Sequence, residues 1–182
     1  MRKVAIIGVG QTPVREHWDY SIRQLAVQAL SLALDDAGQP ALDALYVGNM
    51  LSGALSEQEH LGALIADYLG YPGIEAVKIE AACASGGAAF RQAVLAVASG
   101  HVDVAAAVGV EKLTEFSGKF SGKALATAAD ADYEASIGLS IAALNALIMQ
   151  RYMYEFKFDK KDFAVFPMNA HHNALHNPNA MF

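Results

Sequence analysis

Glu75-Ala76-Val77-Lys78-Ile79-Glu80-Ala81-Ala82-Cys83-Ala84-Ser85-Gly86-Gly87-Ala88-Ala89-Phe90 decides the fold. Residues 76–79 read as a short buried strand, and 85–98 read as a helix stopped by Gly100. Between them lies a turn of small residues that carries the single cysteine of the chain. A strand that feeds a helix through so short a turn is the first half of a β-α-β unit. A continuous apolar run at 104–110 supplies the returning strand.

The same grammar extends toward the N-terminus. Residues 44–47 form a short apolar run closed by Gly48-Asn49, and 57–69 suit a helix stopped by Gly70 and Pro72. Ser21 opens an earlier helix with apolar spacing at Ile22, Leu25, Ala26, Ala29, Leu30, Ala33 and Leu34. Gly38 and Pro40 end it. Residues 4–9 are a further apolar run, closed by Gly8 and Gly10, and read as the first strand. The order over residues 1–110 is β-α-β-α-β-α-β. It predicts an α/β fold with a mixed, mostly parallel sheet, helices on both faces and right-handed crossovers.

Beyond Val110 the pattern changes. Residues 111–133 mix Ser117, Gly118, Ser121 and Gly122 with three lysines and show no clean period. A strongly apolar helix is expected over 136–154. Another opens at Asp159, with Asp162 three residues on, and runs to about His176 before Asn177-Pro178. The chain therefore divides into a core at 1–110 and a helical excursion at 111–182, and excursions of this length in compact domains are usually functional.

Composition narrows the function classes. Hydrophobic residues make up 54 % and charged residues 18 %, below the ~25 % usual for soluble domains. This apolar content excludes disorder. Nineteen acidic against thirteen basic residues leave no basic footprint for nucleic acid. One cysteine excludes a disulfide framework and suits a reducing compartment. No run approaches the ~18 apolar residues of a membrane span. Lys3 leads at once into a short strand rather than a signal segment, so a cytoplasmic location is expected.

Three places invite chemistry. Gly8-Val9-Gly10-Gln11-Thr12-Pro13 imitates half of a dinucleotide fingerprint, but the third glycine is missing and no helix opens there, so a tight turn is the reading. His172 and His176 lie four apart with His171 beside them, yet no carboxylate or cysteine completes a metal set, and no metal site is assigned. Cys83 is the strongest candidate. Lone cysteines are more often small buried hydrophobes than nucleophiles. Here the sulfur sits at a helix N-terminus, where orphan N–H groups and the helix dipole favour a thiolate. The neighbouring glycines and alanines let a substrate approach closely, and the same N–H groups can face a developing oxyanion.

The run from Glu80 to Ala89 resembles the nucleophile segment of the thiolase superfamily. It is most similar to the sterol-carrier-protein-type branch. The opening Val4-Ala5-Ile6-Ile7-Gly8-Val9-Gly10-Gln11-Thr12-Pro13 and the closing Asn173-Ala174-Leu175-His176-Asn177-Pro178-Asn179-Ala180-Met181-Phe182 are similar to segments of the same branch, in the same order. The resemblance implies a duplicated core of two five-stranded halves, of which this chain matches the first half plus the loop region inserted after its fourth strand. It implies an acyl-CoA C-acyltransferase that cleaves or condenses acyl-CoA thioesters, with Cys83 as catalytic nucleophile carrying the acyl group. The family uses a second cysteine and a Gly-His-Pro-type histidine from its second half, and neither is matched here. The chain by itself is therefore expected to be inactive.

No tightly bound cofactor is implied, and coenzyme A thioesters enter as substrates. The loop region is expected to shape the coenzyme A channel. Lys119 and Lys123 are as well read as solvated, and Met149, Met153 and Phe156 as core, so cofactor-contacting residues remain unassigned. Expected partners are acyl-CoA, a second copy joined edge to edge through the third strand near residues 76–79, and either a separate C-terminal half or a small accessory subunit. The rival readings are a ketosynthase-like condensing enzyme and a non-catalytic acyl or lipid carrier or scaffold.

Overall fold

The computed structural model describes residues 2–182, and its chain forms two compact units. The first runs up to Thr12 and resumes over Glu16–Glu115; the second comprises Pro13–Arg15 and Phe116–Phe182.

The first unit is built on three parallel strands, β1 (Ala44–Gly48), β2 (Glu75–Ile79) and β3 (Ala105–Gly109), in the order β2-β1-β3. The register sets Tyr46 beside Val77 on one side and Ala107 on the other. Central β1 is buried along its whole length. Successive side chains point to opposite faces of a strand, and the two faces have different covers. Leu45 and Val47 meet Ile22, Ala26 and Leu30 of α1 (Ile22–Asp36) and Leu61 and Ile65 of α3 (Leu61–Leu69). Ala44 and Tyr46 meet Ala89, Ala93 and Ala96 of α4 (Ser85–Ser99). The aliphatic Leu45 and Val47 face two helices, and on the other side the alanines of α4 let a single helix approach around Tyr46. Each fully buried Leu or Val contributes roughly 1.5–3 kcal/mol.

Local chemistry fixes the ends of the helices. Ser21 and Gln24 form a reciprocal capping box at the start of α1, with the Gln24 N–H donating to Ser21 Oγ at 3.2 Å and the Ser21 N–H to Gln24 Oε1 at 2.8 Å. Gly70 and Gly100 close α3 and α4 in the left-handed region, at φ 91° and 84°.

Two expectations need correction. The helix expected over 57–69 begins only at Leu61, as α3, because Glu57 and His60 both take positive φ, and a separate short α2 (Ser52–Leu55) precedes it. The expected first strand at 4–9 forms no ladder with any described residue, and it is not buried: Ile6 is 68 % exposed. A strand is defined by its ladder partner, and the described residues offer none beside it. The parallel α/β architecture itself stands, with three paired strands.

The second unit contains α5 (Gly118–Leu125), α6 (Ile141–Phe156) and α7 (Val165–Ala174). Ser140 caps α6, accepting the Ala143 N–H at 3.2 Å, and a capping box of Asp159 and Asp162 opens the turn before α7. The apolar helix expected over 136–154 thus begins later, at its cap. It was expected to be packed, yet neither α6 nor α7 buries a residue fully. Tyr152 gathers Phe156, Phe158 and Phe163 into a small aromatic cluster. Among the described residues no helix is long and apolar enough to cross a membrane.

Candidate active site

All three strands end at one edge of the sheet, at Gly48, Ile79 and Gly109. In parallel sheets this carboxyl edge is where ligands bind. The link from β2 to α4 crosses it, and Cys83 stands in that link.

The crossing is tight. A short 3-10 turn, Ala82–Ala84, precedes α4, and Cys83 is exposed on it. Ala82 takes φ 48°, a left-handed conformation that costs a residue with a Cβ of order 1 kcal/mol or more. The strain is held from both sides. The Ala81 N–H donates to Ser85 Oγ at 2.9 Å, and that hydroxyl donates to the Ala82 carbonyl at 2.7 Å. Ser85 itself is buried. Glu80 folds back so that its carboxylate accepts the Ala82 N–H. The result presents the thiol outward at the head of a fifteen-residue helix.

Close packing explains the glycines. A Cβ on Gly48 would lie 2.5 Å from the Ser85 carbonyl oxygen and 2.7 Å from Gly86 Cα. The end of β1 therefore rests directly on the backbone that begins α4, and a side chain there would push the cysteine turn away.

A second network braces the same edge. One Glu111 carboxylate oxygen accepts the N–H groups of Met50 and Leu51 at 3.0 and 3.1 Å, and the other accepts Asn49 Nδ2 at 2.8 Å. Buried Asn49 in turn accepts the Ser52 N–H at 3.0 Å. Sequence reasoning missed Asn49, Ser85 and Glu111 as the frame of the site. The only available signal was their position, each just past or just before an element boundary at the carboxyl edge.

The opposite end of the sheet carries a separate polar cluster. Tyr46 donates to Glu75 Oε1 at 2.7 Å, and Glu75 Oε2 lies 3.0 Å from His101 Nε2. Burial, with the Glu75 carboxylate beside it, pushes the Tyr46 phenol up to about 12. The Tyr46 hydroxyl and His101 hold Glu75 below its ordinary range.

Of the remaining side chains, His101 lies in the first unit and the other sequence candidates in the second. His101 belongs to the far end of the sheet. His172 and His176 have ring centroids 6.0 Å apart on the second unit, and Lys119 and Lys123 are exposed on α5. Met149 and Met153 of α6 are half-buried, and Phe156 is exposed. Among the described residues no histidine is hydrogen-bonded to Cys83, and no group of three or more His, Cys, Asp or Glu is placed to hold a metal.

Comparison with known proteins gives this arrangement a context. The family model described as the thiolase N-terminal domain matches residues 4–182. An acetyl-CoA acetyltransferase of Methanothermobacter thermautotrophicus is 44 % identical over 184 residues, covering 100 % of this chain and 48 % of that protein. The chain thus spans about half the length of that curated relative. Among solved structures, an acetyl-CoA acetyltransferase from Syntrophomonas wolfei superimposes with a TM-score of 0.50 at 20 % identity, over 55 % of this chain and 26 % of that one. A 3-oxoacyl-[acyl-carrier-protein] synthase III from Aquifex aeolicus does so with 0.54 at 23 % identity, over 60 % of this chain and 45 % of that one. At these identities the two structures speak for the fold alone.

Proposed function

This chain belongs to the thiolase superfamily, and from that premise we propose that it is the nucleophile-bearing half of an acyl-CoA C-acyltransferase, with Cys83 as the nucleophile. The observation that carries the proposal is the exposed thiol at the head of α4, on a turn whose Ala82 is held at positive φ.

The step assigned to this chain is acyl transfer to sulfur. The Cys83 thiolate attacks the carbonyl of an acyl-CoA, and the tetrahedral oxyanion forms beside the first N–H groups of α4. Collapse expels coenzyme A thiolate, which takes up a proton, and leaves an acyl thioester on Cys83. A second acyl-CoA, deprotonated at its α-carbon, then attacks that thioester to give 3-ketoacyl-CoA and free Cys83. The reverse sequence is thiolysis. Both proton transfers need a base that the described residues do not place at Cys83. We assign them to the polypeptide that corresponds to the rest of the relatives' length, whether joined to this chain or supplied as a separate subunit.

We take residues 1–110 as the core that carries the nucleophile and 111–182 as its helical loop region. A cytoplasmic setting suits the lone thiol, and acyl-CoA metabolism suits the substrate. A homodimer is proposed through β2. Among the described residues that strand has a neighbour on one side only, and its Val77 is 43 % exposed. Such an edge supports isologous pairing about a two-fold axis. Sedimentation velocity across a concentration series tests this, and a monomer at all concentrations overturns it.

Incubation with acetyl-CoA followed by intact-mass and peptide mass spectrometry tests the central claim. One acetyl adduct on Cys83, absent in Cys83→Ser, is expected, whereas steady turnover by the chain alone is expected to be lower by several orders of magnitude than in a complete enzyme. Absence of the adduct even with a polypeptide corresponding to the rest of the relatives' length supplied would favour a carrier or scaffold instead.

A further inference from the structure

The turn that carries Cys83 commits nearly all of its backbone donors. The Ala81 N–H goes to Ser85 Oγ at 2.9 Å, and the Ala82 N–H to the Glu80 carboxylate. The Ala84 N–H reaches the Ala81 carbonyl at 2.9 Å, and the Ser85 N–H returns to the Ala82 carbonyl. From Ala81 to Ser85, only the Cys83 N–H has no partner among the described residues.

One side chain accounts for this pattern. The Ala82 carbonyl accepts twice from Ser85, once from its N–H and once from its hydroxyl at 2.7 Å. That carbonyl and the Cys83 N–H belong to one peptide unit, which is trans. In a planar trans peptide the two groups point in opposite directions. A carbonyl drawn toward Ser85, in the first turn of α4, therefore turns the Cys83 N–H away from the helix. The same hydroxyl accepts the Ala81 N–H, so it grips the chain on both sides of Ala82 and holds that residue at φ 48°. Without the hydroxyl, Ala82 loses contacts that offset its left-handed conformation and is free to relax. The peptide that carries the Cys83 N–H rotates with it.

Ser85 is itself fixed. It is buried, and Gly48 of β1 packs against its carbonyl oxygen with no space for a Cβ. A serine that caps a helix accepts an N–H two or three residues further along. Ser85 instead reaches back to residues 81 and 82, and spends both its donor and an acceptor on the turn.

We propose that Ser85 is a positioning residue for acyl transfer: its hydroxyl fixes the Ala82–Cys83 peptide so that the Cys83 N–H stays free beside the thiol. The proposal rests on the reading of Cys83 as the acyl acceptor. As the thiolate attacks a thioester carbonyl, the carbonyl electron pair moves onto oxygen, and an N–H already held outward meets that charge without reorganising. Alkylation by iodoacetamide joins carbon to the same sulfur by displacing iodide, and creates no oxyanion. The two reactions separate the orientation of the N–H from the exposure of the thiol.

The test compares the two rates by intact mass in the wild-type chain and in Ser85→Ala, since Cys83 is the one cysteine. Acetylation by acetyl-CoA is expected to fall about 10- to 100-fold in Ser85→Ala while alkylation changes less than about 3-fold, and Ser85→Thr, which keeps the hydroxyl, should recover most of the acetylation. An equal loss in both rates, or no loss in either, overturns the role of Ser85 and leaves Cys83 as the acceptor. Wild-type protein that is alkylated but never acetylated overturns the reading of Cys83 itself. If neither variant folds, amide hydrogen exchange in the wild-type chain decides. The Cys83 amide is expected to exchange at least ~10-fold faster than those of Ala81 and Ser85. Equal protection at all three would show that the Cys83 N–H is engaged, and would overturn the proposal.

Discussion

Val4-Ala5-Ile6-Ile7-Gly8-Val9 and Ala44-Leu45-Tyr46-Val47-Gly48 are similar as sequences, both short apolar runs ending near glycine. Their fates differ. The second is the central strand, paired on both sides and buried throughout. The first joins no ladder among the described residues and is largely open to solvent. The difference teaches that an apolar run confers a tendency toward extension, while strand status comes from neighbours that satisfy its backbone.

Hydrogen exchange should expose this contrast most strongly. The β1 amides are expected to exchange only through opening of the whole unit, on the order of 10³-fold or more slower than amides of residues 3–8. Comparable rates in the two segments would break the comparison.

Side-chain truncation comes next. Leu45→Ala should cost about 2–5 kcal/mol in denaturant unfolding, whereas Ile6→Ala should stay within about 0.5 kcal/mol. An equal loss at both positions would show that residues 3–8 belong to the cooperative core after all.

Gly48→Ala sharpens the comparison at the site. Gly8 and Gly48 both abut backbone, but Gly48 abuts the turn that holds Cys83. Overpacking there is expected to cost about 1–3 kcal/mol and to slow alkylation of Cys83 by iodoacetamide. Unchanged alkylation would mean that the turn is not braced by β1.

The smallest effect expected is that of pH. The N–H groups of Val104 and Asp103 hold Asp43, at the entry to β1, below its ordinary value of 3.8, and the Tyr46 hydroxyl and His101 hold Glu75 below 4.5. A carboxylate depressed in the folded state adds stability above its unfolded value and loses it as pH falls through the folded one. Melting temperature should therefore be flat across neutral pH as far as these groups act, and fall below about pH 4. Asp43→Asn should make that acid limb shallower; an unchanged limb would remove Asp43 from the explanation.

Much of the frame was legible in advance. Strands at 44–47, 76–79 and 104–110 and helices opening at Ser21 and Ser85 could be read from apolar spacing, because their signals are local: a cap, a period, a glycine stop. So could the family, from the segment around Cys83, and the position of that residue in a turn at the head of a helix. The bracing of the turn was not legible. Asn49, Ser85 and Glu111 are separated by up to 62 residues in sequence, and only the parallel stacking of three strand ends brings them to one edge. The positive φ of Ala82 was equally hidden, since alanine carries no signal for a left-handed conformation.

Sequence alone settled which segments extend, which coil into helices and where the lone thiol falls, since each depends on a few neighbouring side chains and the backbone geometry they favour. Tertiary structure alone decided which apolar run is a strand and which is left without one. Pairing is a contact between residues far apart in the chain, and its energy is realised only where a second backbone lies within hydrogen-bond reach. Residues 4–9 have the side chains for a sheet, and the described fold leaves the place beside them open.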